Sequence, residues 1–364
     1  SSASINRKNN CVTKSNKKEI MNRIFPEQLN HHLAQGLARV YLLQGQDPLL
    51  LSETEDTICQ VANQQGFDEK NTIQVDSQTD WAQLIESCQS IGLFFSKQIL
   101  SLNLPENFTA LLQKNLQELI SVLHKDVLLI LQVAKLTKAI EKQTWFIALN
   151  QYEPNVILIN CQTPTVENLP RWVKNRTKVM GLDADNEAIQ QLCYSYENNL
   201  LALKQALQLL DLLYPDHKLN YNRVISVVEQ SSIFTPFQWI DALLMGKVNR
   251  AKRILKGLQA EDVQPVILLR TLQRELFTLL ELTKPQQRIV TTEKLPTQQI
   301  KTEFDRLKIW QNRRPLFLSA IQRLTYQTLY EIIQELANIE RLAKQEFSDE
   351  VWIKLADLSV KICL

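Results

Sequence analysis

Residues 39–51 read Arg39-Val40-Tyr41-Leu42-Leu43-Gln44-Gly45-Gln46-Asp47-Pro48-Leu49-Leu50-Leu51. An apolar run of strand length, 39–44, meets a turn at 45–48. A helix start follows: Asp47 suits the cap, Pro48 suits the first helical position, and Gly66 suits the stop. Strand, glycine turn and helix in that order open a nucleotide-binding α/β fold. Its phosphate cradle needs G-x-x-x-x-G-K-[ST]. Here the second glycine, the lysine and the Mg²⁺-binding hydroxyl are missing, and Pro48 has no N–H to give a phosphate. Gly246-Lys247 is followed by Val248, with no glycine five residues earlier.

Working outward, residues 21–160 alternate between short apolar runs and helical patterns. A helix is expected over 26–38, and strands at 39–44, 72–75, 98–102, 127–131 and 155–159. Such alternation predicts a parallel sheet covered on both faces. The run 98–102 leads into Asn103-Leu104-Pro105-Glu106, not into the acidic pair that would hold Mg²⁺ and activate water. Residues 161–231 show no convincing strand; helical periodicity covers 169–178, 186–196 and 200–213, and Pro215 closes the last. Residues 232–364 read as helices at 236–245, 249–258, 265–282, 300–310 and 315–324, then a long pair from Tyr326, with a loop at 284–296. The expected fold class is α/β plus all-α: a sheet domain at 21–160, a small helical domain at 161–231 and a larger one at 232–364.

The 364 residues suffice for two or three domains, and 45% hydrophobic with 22% charged residues is ordinary for a globular chain. Seven glycines favour helix, and no apolar run reaches membrane-spanning length. Residues 1–20 are polar and carry five Lys/Arg against one Glu, which leaves 36 basic and 38 acidic residues in the rest. They read as a tag or upstream extension. Global charge then gives no argument for nucleic-acid binding, so any such surface must be a local patch. The six cysteines form no C-x-x-C pair and read as free buried thiols of a reducing cytosol; the four histidines lack metal-ligand spacing. No cofactor is expected, and no G-x-S-x-G, H-E-x-x-H or His/Cys pairing suggests catalysis.

Ser90-Ile91-Gly92-Leu93-Phe94-Phe95-Ser96-Lys97 stands out. Trp81, Leu84, Ile85, Cys88 and Ile91 form one helical stripe, Gly92 ends it, and three large apolar side chains follow. Leu93, Phe94 and Phe95 either plug the sheet edge or helix end, or form an apolar tip presented to a partner.

YLLQGQDPLLL at 41–51, IGLFFSKQ at 91–98, CQTP and LPRWV within 161–173, NLLALKQAL at 199–207, FTPFQWIDALLMGK at 234–247, PVILLRTLQREL at 265–276 and IWQNRR at 309–314 carry a resemblance. The sequence from Met21 onward resembles the delta subunits of the bacterial DNA polymerase III clamp loader, nearest to the gamma-proteobacterial form. The resemblance implies an AAA+-like domain without a working nucleotide site, a helical lid and a helical collar that binds sister subunits (gamma/tau and delta-prime). It implies a cytoplasmic replication protein that binds and opens the beta sliding clamp for loading onto primed DNA, as part of the DNA polymerase III holoenzyme. The family's Leu-Phe pair maps onto Leu93 and Phe94. Phe95 is bulkier than is usual in relatives and ranks third. Asn198-Asn199 replaces the usual Gly-Asn, and asparagine tolerates the left-handed conformation there. The arginine-finger motif and the four-cysteine zinc pattern of the motor-type subunits are absent.

Two further surfaces suggest contact with primer–template DNA. Arg306 to Arg314 is basic with Trp310 inside; Arg313 and Arg314 either meet a DNA backbone or sister subunit, or line a solvated helix whose Ile309 and Trp310 enter the core. Phe347 either stacks on accessible bases or packs between the terminal helices. Beside the reading as a non-catalytic adaptor that binds and opens the clamp stand two others: a divergent AAA+ ATPase, and a helical scaffold outside replication.

Overall fold

The computed structural model describes residues 22–89, 97–230, 234–284, 292, 294–297, 299–345 and 349–364. They fall into two compact units divided between Pro164 and Thr165. The boundary expected at 231 lies inside the second unit, because helices on either side of it pack together and share a buried ionic cluster. Leu93, Phe94, Phe95 and Phe347 lie outside the described residues.

The first unit runs β1 (Asn22–Ile24), α1 (Leu29–Ala34), β2 (Val40–Gln44), α2 (Pro48–Gln64), β3 (Phe67–Gln74), α3 (Trp81–Gln89), β4 (Lys97–Asn103), α4 (Ala110–Ser121), β5 (Val127–Val133), α5 (Lys138–Glu141), α6 (Thr144–Ala148) and β6 (Val156–Asn160). The six strands make one parallel sheet in the order β1-β6-β2-β5-β4-β3. Val40, Leu42, Leu100, Leu102, Leu129 and Leu131 join apolar side chains of α3, α4 and α6 in one cluster. The alternate residues Tyr41, Leu43, Ile99 and Ile130 are buried too, so both faces are covered.

The expected strands all form, with different limits. β3 begins at Phe67, well before Thr72, because it is an edge strand whose mostly exposed residues carry no apolar alternation. β1 is an unexpected sixth strand, three residues long. The first helix is shorter than expected: a 3-10 turn at Pro26–Gln28 leads into α1, which ends before Gly36.

The second unit contains α7 (Leu169–Val179), β7 (Asp183–Ala184), α8 (Asn186–Tyr196), α9 (Leu200–Leu213), β8 (Lys218–Leu219), α10 (Tyr221–Gln230), α11 (Pro236–Leu244), α12 (Val248–Ala260), α13 (Pro265–Thr283), α14 (Ile300–Arg306), α15 (Arg314–Arg323), α16 (Tyr326–Gln345) and α17 (Glu350–Cys363). The expectation of no strand in 161–231 is corrected by β7 and β8, which pair in parallel over two residues each. Asn198 takes the left-handed conformation at φ 61°, and the Asn199 side chain accepts from the Ala202 N–H to cap α9. The core gathers Trp239, Leu243, Ile254, Leu272, Ile321 and Leu355 from α11, α12, α13, α15 and α17. α14 stops at Arg306, short of Trp310, because Lys308 turns left-handed at φ 55° and the Ile309 N–H reaches back to the Phe304 carbonyl.

Candidate functional site

The β2–α2 turn occupies the place where a phosphate cradle would stand. Gly45 sits at φ 135°, and a Cβ built there would lie 2.3 Å from the Cys161 carbonyl carbon. Only glycine lets the turn approach the chain leaving β6 so closely. Three N–H groups at the turn and helix start already have acceptors: Gly45 donates to the Val133 carbonyl, Asp47 to the Cys161 carbonyl, and Leu50 to the Asp47 carboxylate. The other Asp47 oxygen accepts from the Thr163 hydroxyl at 2.6 Å, and the residue is 3% exposed. A buried carboxylate thus takes the helix N-terminus that would otherwise attract an anion. The Asp47 cap was legible in the sequence; the clamp made by Cys161 and Thr163 was not, although CQTP was a family string. Burial pushes the Cys161 thiol up to about 11, as for a packed, inert cysteine.

The second location is the junction of α3 and β4, which flanks residues 90–96. Leu84 and Cys88 anchor α3 in the sheet cluster. The Cys88 carbonyl accepts from the His124 N–H at 2.7 Å, and the Gln98 amide donates to the Ser87 carbonyl at 2.9 Å. The two flanks are therefore tied to each other and to the β5 side of the unit. β4 is an inner strand between β5 and β3.

The basic segment 306–314 departs from both of its readings at Arg313, while Ile309 packs against the core as the second reading expected. Arg313 is 7% exposed. Its guanidinium reaches Asp241 at 2.9 Å and Glu275 at 3.5 Å, and lies 3.7 Å from the centre of the Tyr194 ring. The Tyr194 hydroxyl donates to Asp241 as well. Arg313 as a DNA contact is thereby corrected: a phosphate would have to displace two carboxylates from a buried site. Burial alone would lower the guanidinium pKa, but Tyr194, Asp241 and Glu275 hold it above its ordinary value; burial raises the Glu275 carboxyl despite Arg313. Arg314 is half-buried, donating to the Ile309 carbonyl at 2.8 Å and pairing with Asp305 at 2.9 Å. It braces the turn after α14, and the segment is not a solvated helix. Ile309 is half-buried against the core; Trp310 is half-buried too. Nothing in the sequence paired Arg313 with partners 38 to 119 residues away.

Five cysteines, Cys59, Cys88, Cys161, Cys193 and Cys363, are free and buried. Among the described residues no His, Cys, Asp and Glu side chains group to hold a metal ion, and no helix is long and apolar enough to cross a membrane.

Comparison with known proteins agrees with this architecture. The sequence model of the family described as "DNA polymerase III, delta subunit" matches residues 41–162, and that described as "Processivity clamp loader gamma complex DNA pol III C-term" matches residues 236–364. The chain is 97% identical over 344 residues to DNA polymerase III subunit delta of Haemophilus influenzae, covering 94% of this chain and all of that one. It is 45% identical to the Escherichia coli subunit, over 94% of this chain and 97% of that one. The solved structure of the Bacillus subtilis DNA clamp loader delta protein shares the fold, with a TM-score of 0.52 at 15% identity over 93% of this chain and 99% of that one. A parallel α/β unit with an occupied turn, a helical second unit and these matches lead to one assignment: the chain belongs to the DNA polymerase III delta-subunit family, of the gamma-proteobacterial type, and is a clamp-loader subunit of the replication machinery.

Proposed function

We propose that this chain is a non-hydrolytic adaptor of the clamp loader, which binds the beta sliding clamp through Leu93 and Phe94, with Phe95 beside them, and favours the opened ring. The observation that carries the reading is the tie between Ser87 and Gln98, which gives the segment bearing these side chains a fixed base. Burying Leu93 and Phe94 in an apolar groove would each contribute about 1.5–3 kcal/mol before association costs. To open the ring, the chain must bind the open clamp better than the closed one. The gamma/tau subunits supply bound ATP and, with delta-prime, complete the loader; primer–template DNA meets the chain within that assembly, and Phe347 remains its aromatic candidate. A cytoplasmic, nucleoid-associated site of action follows from the same reading. The ATPase alternative is disfavoured by the carboxylate of Asp47 at the helix start.

The test is surface plasmon resonance of the full chain on immobilised beta clamp, wild type beside Leu93→Ala/Phe94→Ala. Binding should fall by at least a hundredfold while the melting temperature stays within a few degrees. A large fall in melting temperature would assign these side chains to the core. Wild-type chain that fails to bind, alone and with its sister subunits, would refute the adaptor reading. Titration with an ATP analogue should give no heat.

A further inference from the structure

The stretch from Ala242 to Ala260 contains Lys247, Arg250, Lys252, Arg253 and Lys256, and no acidic residue. It folds into the end of α11 and the whole of α12. Ala251, Ile254, Leu255 and Leu258 fix the buried side of α12 in the core. Lys252, Arg253 and Lys256, with Asn249, are thereby left on the exposed side.

Three features set this face apart. None of its cations forms an ion pair with a described residue; other exposed cations such as Lys294, Lys301 and Lys308 form none either, so what distinguishes α12 is that three such cations share one helix face. The helix start makes the charge costlier: Lys247 is the N-cap, no side chain caps the helix, and its first turn holds no acidic residue. A helix N-terminus carries about half a positive charge and favours anions, so Lys247 and Arg250 stand at its unfavourable end. Finally, no large apolar side chain is exposed on α12. A protein partner would want an apolar centre and few lysines, whereas a phosphate backbone needs only cations at a suitable rise. Lys252 and Lys256 are about 6 Å apart along the helix axis, close to the rise of two nucleotides of a duplex strand at about 3.4 Å each.

We propose that the exposed face of α12, formed by Lys252, Arg253 and Lys256, binds the phosphate backbone of DNA in the assembled clamp loader. This rests on the adaptor reading, which brings primer–template DNA to the chain. It replaces Arg313, whose charge is consumed inside the fold, with a face whose cations pair with no described residue. The contact carries no sequence preference, because it reads phosphates and not base edges.

The test uses loader reconstituted from the full chain, gamma/tau and delta-prime, with beta clamp and an ATP analogue. Anisotropy of labelled primer–template DNA is recorded across a salt series for wild type, Lys252→Ala/Arg253→Ala/Lys256→Ala, and the control Lys294→Ala/Lys301→Ala/Lys308→Ala, which removes three other exposed lysines of the same unit. The α12 variant should bind DNA at least tenfold more weakly, with a salt slope reduced by about two to three. Its melting temperature, clamp binding and loader assembly should stay at wild-type values. Unchanged DNA affinity and slope would overturn the proposal, as would an equal loss in the control. Loss of loader assembly in the α12 variant would overturn it too, making the face a protein interface. Wild-type loader that neither assembles nor binds DNA would sink the adaptor reading itself.

Discussion

Arg313→Leu offers the sharpest check on the second unit. In the wild type one guanidinium serves Asp241 and Glu275 and lies on the Tyr194 ring. Leucine keeps an apolar body of adequate volume against Phe317 but takes the ion-pair partner from Asp241 and leaves Glu275 only the neighbouring charge of Arg274. Removing one member of a buried ionic cluster costs about 3–5 kcal/mol. For a unit of this size each kcal/mol shifts the melting temperature by about 2–4 °C, so a fall of about 6–20 °C is expected for residues 165–364. Circular dichroism and calorimetry of the full chain would resolve it, with the transition of the first unit as internal reference. The pH dependence has a definite sign. Burial already raises the Glu275 carboxyl in the folded state, and without Arg313 it should rise further. A raised folded pKa means that stability is present below the unfolded carboxyl range and lost as pH rises through the folded value. The deficit of Arg313→Leu should therefore shrink from pH 8 to pH 5. A loss under about 1 kcal/mol with no pH dependence would refute the reasoning and return Arg313 to the candidate DNA surface.

Gly45→Ala should destabilise the first unit by more than about 2 kcal/mol, because its Cβ meets backbone atoms of Cys161 and Gln162 at a φ that side chains rarely adopt; near-wild-type urea denaturation would contradict the close approach. Asp47→Ala loses a cap and the Thr163 bond, for about 0.5–2 kcal/mol from the cap alone, and an ATP-analogue titration should still show no binding. Burial pushes the Cys193 thiol up to about 12 and Cys161 to about 11. Their contribution to stability is full below the ordinary thiol range and lost as pH rises towards those values. Alkylation followed by peptide mass spectrometry at pH 8 should find both protected in the folded chain, and rapid labelling of Cys193 would show that α8 opens.

Central strands were legible because they are continuous apolar runs: Val40–Gln44 and Val156–Asn160 appear in the structure within a residue or two of their expected limits. Helices α8 and α9 were legible from periodicity, and their starts are fixed by Asp185 and Asn199. β3 was only partly legible, because an edge strand turns most of its side chains to water and keeps no apolar alternation. β7 and β8 were invisible, since two-residue strands have no pattern to read. The segment 306–314 shows the limit most plainly. Its charges suggested a surface, yet the carboxylates that neutralise Arg313 come from α11 and α13, distant in the chain.

The sequence alone determined the α/β start and helical remainder, the absence of a phosphate-loop lysine, and the family, because each depends on residue types at short spacing. Only the tertiary structure decided that the Asp47 carboxylate and the Thr163 hydroxyl meet at the β2–α2 turn, that Arg313 is internal, and that the cations of α12 pair with no described residue. Whether a charge is consumed or free depends on which distant side chain lies within about 4 Å, and that distance is a property of the fold.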